Sequence, residues 1–141
     1  MTGELYEDLV LEHAKRPRNR GRLVHATHGG SADNALCGDS IRVEVEVGDG
    51  DIRAACFEGH ACAIATASAS LLTEHVRGRT VGNARVLVEQ MEMLCAGPSD
   101  DASAAGAALG ELGVFAGVRR YPARVRCATL AWDALRRALA D

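Results

Sequence analysis

Three cysteines and one aspartate, spread over three segments of the chain, make a complete tetrahedral ligand set of the zinc type: Cys37 and Asp39 in Cys37-Gly38-Asp39, Cys62 in Glu58-Gly59-His60-Ala61-Cys62, and Cys127 in Pro122-Ala123-Arg124-Val125-Arg126-Cys127. Each segment offers its ligand a different local setting. Cys37 and Asp39 stand two apart just ahead of an alternating strand, so an extended backbone with Gly38 between them aims both side chains at one point. Cys62 follows a glycine turn where a strand ends and a helix of small residues begins. Pro122 suits the first position of a helix, which places Cys127 in its opening turns. Backbone N–H groups and the positive end of a helix dipole then lie near two of the sulfurs, an environment suited to an anionic ligand and nucleophile.

The other candidate residues read differently. Cys56 shares a period of two with Ile52 and Ala54, which points it at the core, and Cys95 closes an apolar helical row with Met91 and Leu94. Both read as small buried hydrophobes rather than ligands. His60 is chemically able to bind zinc, but it reads as a solvated loop histidine. Three thiolates, one carboxylate and Zn²⁺ sum to a charge of about −2, so a neighbouring guanidinium would stabilise the centre and hold Asp39 in place. Arg124 and Arg126 flank Cys127, and Arg124 shares a helical face with it, which makes Arg124 the preferred supporting residue.

The elements that must position these residues are those of a small α+β domain. Leu5, Leu9, Val10 and His13 fall at helical spacing in a first helix that ends before Pro17 and Gly21. A short strand is expected around Leu23–Thr27. Ile41, Val43, Val45 and Val47 alternate with Arg42, Glu44 and Glu46, and Gly48-Asp49-Gly50-Asp51 turns that strand into a second one from Ile52 to about Phe57. Residues 61–76 form a helix whose Ala, Ser and Thr side chains let it lie close to the sheet. Thr80 caps a third helix bearing Val81, Ala84, Leu87, Val88, Met91 and Leu94. The segment around 97–117 is rich in alanine but interrupted by Gly106, Gly110, Gly113 and Gly117, and reads as a mobile or partly helical insertion. The last helix turns Val125, Leu130, Ala134, Leu135 and Leu139 inward and Arg136 and Arg137 outward.

Composition bounds the function. A chain of 141 residues, 48% hydrophobic and 25% charged, suits one domain spanning 1–141. The net charge of −3 and the scattered arginines give no basis for nucleic-acid binding. No apolar run reaches the length of a membrane span and no secretory signal opens the chain, so a cytoplasmic protein is expected. Five cysteines in such a protein point to metal or thiol chemistry rather than a disulfide framework.

Four ordered segments carry a resemblance that runs from Leu5 to Leu139: Leu5-Tyr6-Glu7-Asp8-Leu9-Val10-Leu11-Glu12-His13 with Pro17-Arg18-Asn19-Arg20-Gly21; Cys37-Gly38-Asp39; Phe57-Glu58-Gly59-His60-Ala61-Cys62 with Ala65-Thr66-Ala67-Ser68-Ala69-Ser70; and Pro122-Ala123-Arg124-Val125-Arg126-Cys127-Ala128-Thr129-Leu130-Ala131-Trp132. On these the chain resembles SufU-type members of the IscU/NifU family of iron–sulfur assembly proteins. Scaffold members of the IscU type have a histidine before the last cysteine and a Leu-Pro-Pro-Val-Lys stretch upstream that recruits a chaperone. Here Arg126 takes the first place and Tyr121-Pro122-Ala123-Arg124-Val125 the second, and the segment around 97–117 resembles the insertion that lengthens SufU-type chains.

The resemblance implies an IscU/SufU-like single domain, a small antiparallel sheet of about three strands packed against several helices. It implies Zn²⁺ held by Cys37, Asp39, Cys62 and Cys127. It further implies a sulfurtransferase-type role as co-substrate of a PLP-dependent, SufS-type cysteine desulfurase, upstream of the rest of the iron–sulfur assembly machinery. In that role a desulfurase histidine replaces one cysteine on the metal, and Cys37 is the thiol released to accept the persulfide sulfur. The alternative within the family is an iron–sulfur cluster scaffold using the same ligands. Outside these two, a zinc-stabilised adaptor that merely docks on a partner fits the ligand set alone, because a closed four-ligand zinc site is ordinarily structural.

Overall fold

The alternation of Ile41, Val43 and Val45 with Arg42, Glu44 and Glu46 gives a strand one apolar face, and in the computed structural model this strand is the centre of the sheet. The structure describes residues 2–36, 38–97 and 109–140. Helix α1 (Thr2–Lys15) leads into strands β1 (His28–Asn34), β2 (Asp39–Gly48) and β3 (Asp51–His60); helices α2 (Ala63–Val76) and α3 (Val81–Ala96), a 3₁₀ segment (Gly110–Arg120) and helix α4 (Pro122–Ala138) follow. The sheet is antiparallel throughout, in the order β1-β2-β3. This is the α+β arrangement expected from the sequence. The β2–β3 hairpin closes on Asp49 (φ 54°) and Gly50 (φ 82°), the two left-handed central residues of a type I′ turn.

The helices cover one face of the sheet. Helix α4 lies over β1 and β2, and α2 lies over β3 with α1 and α4 packed against it. Every residue of α2 from Ala65 to Thr73 is buried, and its run from Ala65 to Ser70 is built only from Ala, Ser and Thr: larger side chains there would hold its neighbours away. Thr80 caps α3 as expected, its hydroxyl accepting the Asn83 N–H at 3.0 Å.

Three sequence expectations are corrected. The first strand is not at Leu23–Thr27 but at His28–Asn34. Residues 19–27 instead run along the edge of β3 and then across the outer face of the sheet, with Phe57 N–H on the Asn19 carbonyl, Gly21 N–H on the Phe57 carbonyl and Leu23 N–H on the Glu44 carboxylate. The real β1 is inconspicuous in sequence because α4 lies directly on it: a Cβ at Gly30 would collide with the Ala134 carbonyl and the Ala138 nitrogen.

Cys56 is buried, as expected, but not in the main core. Glu46 pairs with Ala54 while Val47 pairs with Ile52, so Arg53 is an extra residue, a β-bulge that reverses the parity of β3. Ala55 and Phe57 therefore face the helices with Val45 and Val43, and Cys56 faces outward beside Glu44. The Leu23 N–H, against the cost of burial, and the Arg42 and Arg22 guanidiniums hold the Glu44 carboxyl below its usual range. Burial and the Glu44 charge push the Cys56 thiol up to about 11.

Residues 98–108 of the expected insertion lie outside the described residues; the part that is described packs into the core. Leu112, Phe115 and Val118 are buried and recur every third residue, the period of a 3₁₀ helix, so all three share one face. Arg119 closes the join by donating to the Met93 and Leu94 carbonyls at the end of α3, where Met93 also accepts the Gly97 N–H. Cys95 is fully buried there, and burial pushes its thiol up to about 12.

Candidate metal centre

The site forms at the end of the sheet where β2 begins and β3 ends. Asp39 is the first residue of β2 and pairs with Asn34, the last of β1. Between them the chain turns back on itself, with the Gly38 N–H donating to the Asn34 carbonyl at 2.9 Å. Gly38 sits at φ +73°, so the link between positions 37 and 39 is a left-handed turn rather than the extended backbone expected from the spacing. A side chain would be strained in that conformation, which accounts for the glycine. Cys37 itself lies outside the described residues. Its neighbours Leu36 and Gly38 are exposed, Leu36 almost fully at 97%.

Cys62 is the N-cap residue of α2, and its sulfur accepts the Ala65 N–H at 3.5 Å. Shortly before it, β3 passes close to β2 at Gly59 (φ +140°), where a Cβ would strike the Ser40 carbonyl, and ends at His60. Pro122 is the first residue of α4, as expected, and carries Cys127 into the second turn, where it is buried at 3% exposure. Two helix N-terminal regions thus converge on the start of β2, their orphan N–H groups and dipoles favouring negative charge.

The ligand atoms of Asp39, Cys62 and Cys127 all lie within 4.8 Å of one another. Asp39 is only 7% exposed, and its Oδ2 is buried with no hydrogen-bond partner among the described residues. A buried acceptor left without a donor is costly, so this oxygen is aimed at something other than protein hydrogen. The donor set of two sulfurs and one carboxylate oxygen fits a zinc-type ion; tetrahedral ligands of such an ion stand about 3.5–3.8 Å apart, a small contraction from the present spacing.

The remaining sequence candidates fall outside this cluster. His60 ends β3 with its side chain exposed. Arg124 is exposed, and among the described residues no ion pair or hydrogen bond joins its guanidinium to Asp39. Arg126 has the more definite position: it donates to the Asp33 carbonyl at 2.9 Å and pairs with Asp133 at 3.2 Å, tying α4 to the end of β1 just before the Cys37 turn. No sequence signal marks this, because the acceptor is a backbone carbonyl on a distant strand. Two shallow grooves of the described surface lie elsewhere, around Arg18, Asn19, Glu74 and Arg77 and alongside Cys56. None of the helices described is long and apolar enough to cross a membrane.

A family model described as the NifU-like N terminal domain matches residues 5–128. The chain is 36% identical to the zinc-dependent sulfurtransferase SufU of Bacillus subtilis (strain 168), over 96% of this chain and 90% of that one. It is equally, 36%, identical to the iron–sulfur cluster assembly scaffold protein IscU of Thermotoga maritima, over 96% and 92% of the two chains. A crystal structure described as a candidate iron–sulfur cluster assembly scaffold protein for the SUF system, from Fervidobacterium islandicum AW-1, superposes with a TM-score of 0.84 at 28% identity, covering 96% of this chain and 97% of that one.

Proposed function

Since the chain belongs to the NifU-like N-terminal domain family, whose relatives include sulfurtransferase and scaffold proteins of iron–sulfur cluster assembly, we propose that it is a zinc-dependent sulfur acceptor for that assembly. The observation that carries the reading is the buried Asp39 Oδ2, without a hydrogen-bond partner among the described residues, set against the Cys62 and Cys127 sulfurs next to the exposed Leu36 and Gly38. Asp39, Cys62 and Cys127 hold the ion and Cys37 is its fourth ligand; bound zinc supplies the positive charge that keeps cysteine sulfur in the thiolate form at neutral pH.

The chain's own residues account for the rest. The chain neighbours of Cys37, Leu36 and Gly38, are exposed, Gly38 in a left-handed conformation, so another protein can approach this segment. The donor is a persulfide on a PLP-dependent cysteine desulfurase. Cys37 sulfur attacks the terminal sulfur of that persulfide; the donor S–S bond breaks, a new S–S bond forms on Cys37, and the donor cysteine leaves as a thiolate with the electron pair. No external oxidant or reductant is needed. Cys62 and Cys127, half-buried and buried, are withheld from the partner, and the thiols of Cys56 and Cys95 are buried and held protonated. Arg124 contributes at most a screened positive charge from the exposed side of α4.

The test is desulfurase turnover on free cysteine, with zinc content measured on the same samples. The parent protein should stimulate turnover, and Cys37→Ala should abolish the stimulation while remaining folded. Undiminished stimulation by that variant would remove Cys37 from the role and favour a zinc-stabilised adaptor. The scaffold reading is kept open by the equal identity to an IscU-named relative. A stable iron–sulfide chromophore in place of zinc, with no stimulation of turnover, would select it.

A further inference from the structure

Helices α2 and α4 carry two of the proposed ligands, and one buried hydroxyl joins them. Ser68 has no exposed surface; its Oγ donates to the Ala128 carbonyl at 2.6 Å and accepts the Trp132 indole N–H at 3.0 Å. Ala128 directly follows Cys127. Ser68 lies six residues along α2 from Cys62, about 9 Å at the rise of an α-helix. Both bonds are fully buried and share one oxygen, so neither survives a slide or roll of one helix against the other. Serine fits the position because α2 runs at the centre of the helical layer: Ala67 and Ala69 beside it are fully buried too, and a larger polar side chain would force α4 away.

We propose that Ser68, with Trp132, is a positioning residue for the metal centre, fixing the spacing of the Cys62 and Cys127 sulfurs by locking α2 to α4. The inference rests on the zinc reading above for its consequence, but the spacing itself belongs to the protein alone. Each helix is rigid over the distance concerned, so a displacement at Ser68 is transmitted to the sulfur at its end. Removing the hydroxyl leaves the buried Trp132 N–H without an acceptor, and relief of that strain requires the helices to shift.

Two probes separate the possibilities in the full-length chain. Zinc affinity is measured by competition with a chromophoric chelator. Sulfur spacing is measured in zinc-free, reduced protein carrying Cys37→Ser, by the affinity for phenylarsine oxide, which bridges two neighbouring thiols with loss of water. Ser68→Ala should weaken both by about tenfold, in the range expected when a group supporting a metal ligand is removed. Trp132→Phe, which keeps the Ser68–Ala128 bond, should weaken both by less. Ile52→Val, at the far end of the sheet, serves as a control for lost stability and should change neither. Unchanged arsenical affinity in Ser68→Ala, or no bridging in the parent, overturns the proposal. If the parent binds no zinc yet Ser68→Ala still weakens arsenical bridging, the zinc reading falls and the positioning role stands. If both proteins bind zinc equally and bridge the arsenical equally, the zinc reading stands and the positioning role falls.

Discussion

Replacing Asp39 by asparagine should invert the usual sign of a mutation at a buried site: the zinc-free protein should become more stable, and the zinc-loaded protein less. The Asp39 carboxylate is 7% exposed and its Oδ2 has no hydrogen-bond partner among the described residues. An acceptor in that position costs the folded state about 1–3 kcal/mol, and more when charged. Asparagine keeps the shape but exchanges that oxygen for an NH₂ donor, which can face the Cys62 and Cys127 sulfurs. For a chain of this size each kcal/mol moves the melting temperature by about 2–4 °C, so zinc-free Asp39→Asn should melt roughly 2–12 °C above the zinc-free parent. Zinc at a thousandfold excess over its dissociation constant adds about 4 kcal/mol to the parent, a rise of about 8–16 °C, and the variant should lose most of it because a neutral amide is a poor zinc ligand. The assay is a pair of thermal melts for each protein, one with chelator and one with excess zinc, followed by circular dichroism. A zinc-free variant that melts below the zinc-free parent would refute the reasoning, since it would mean that the carboxylate is satisfied within the protein and owes nothing to a metal.

Stability should fall as pH drops below the ordinary histidine range, through His13. Burial, then the Arg18 charge, lower its pKa from 6.5, and its Nδ1 lies 2.7 Å from Ser70 Oγ. The unfolded chain then binds more protons than the folded one, so this contribution is complete above about 6.5 and is lost as pH falls toward the lower folded value. Urea midpoints measured between pH 7 and 5 should show the decline, and His13→Gln should flatten it; an unchanged slope would exonerate His13. A second decline, from Glu44, belongs to a separate window below its ordinary value of 4.5, where loss of its depressed-pKa carboxylate removes stability. Gly30→Ala should cost about 1–3 kcal/mol, because its Cβ meets helix backbone that cannot rotate aside. An equilibrium unfolding curve matching the parent would show that α4 yields at that contact.

Much of the fold was legible because it follows from local rules. The alternation of Ile41 to Val47 set β2 and its inner face, Asp49-Gly50 set a type I′ turn, Thr80 set the start of α3, and Pro122 set the start of α4. The positions of the candidate ligands Asp39, Cys62 and Cys127 were legible for the same reason: each lies at or near an element start that glycine, proline or a cap marks in the chain. What misled was the absence of such marks. β1 has no apolar alternation of its own, since it owes its place to β2 on one side and to the backbone of α4 above Gly30. The bulge at Arg53 turned Cys56 to the opposite face, and nothing in the period of β3 announces an inserted residue.

The sequence by itself determined which residues had the chemistry to bind a metal and which element ends would hold them, because ligand type and backbone conformation are properties of short segments. Only the tertiary structure decided that Asp39, Cys62 and Cys127 meet, that the Asp39 Oδ2 is buried without a partner among the described residues, and that Arg126 rather than Arg124 is the arginine tied to the adjoining strand. Those facts depend on how α2 and α4 pack on the sheet, and packing is settled by the fit of whole surfaces that no local pattern encodes.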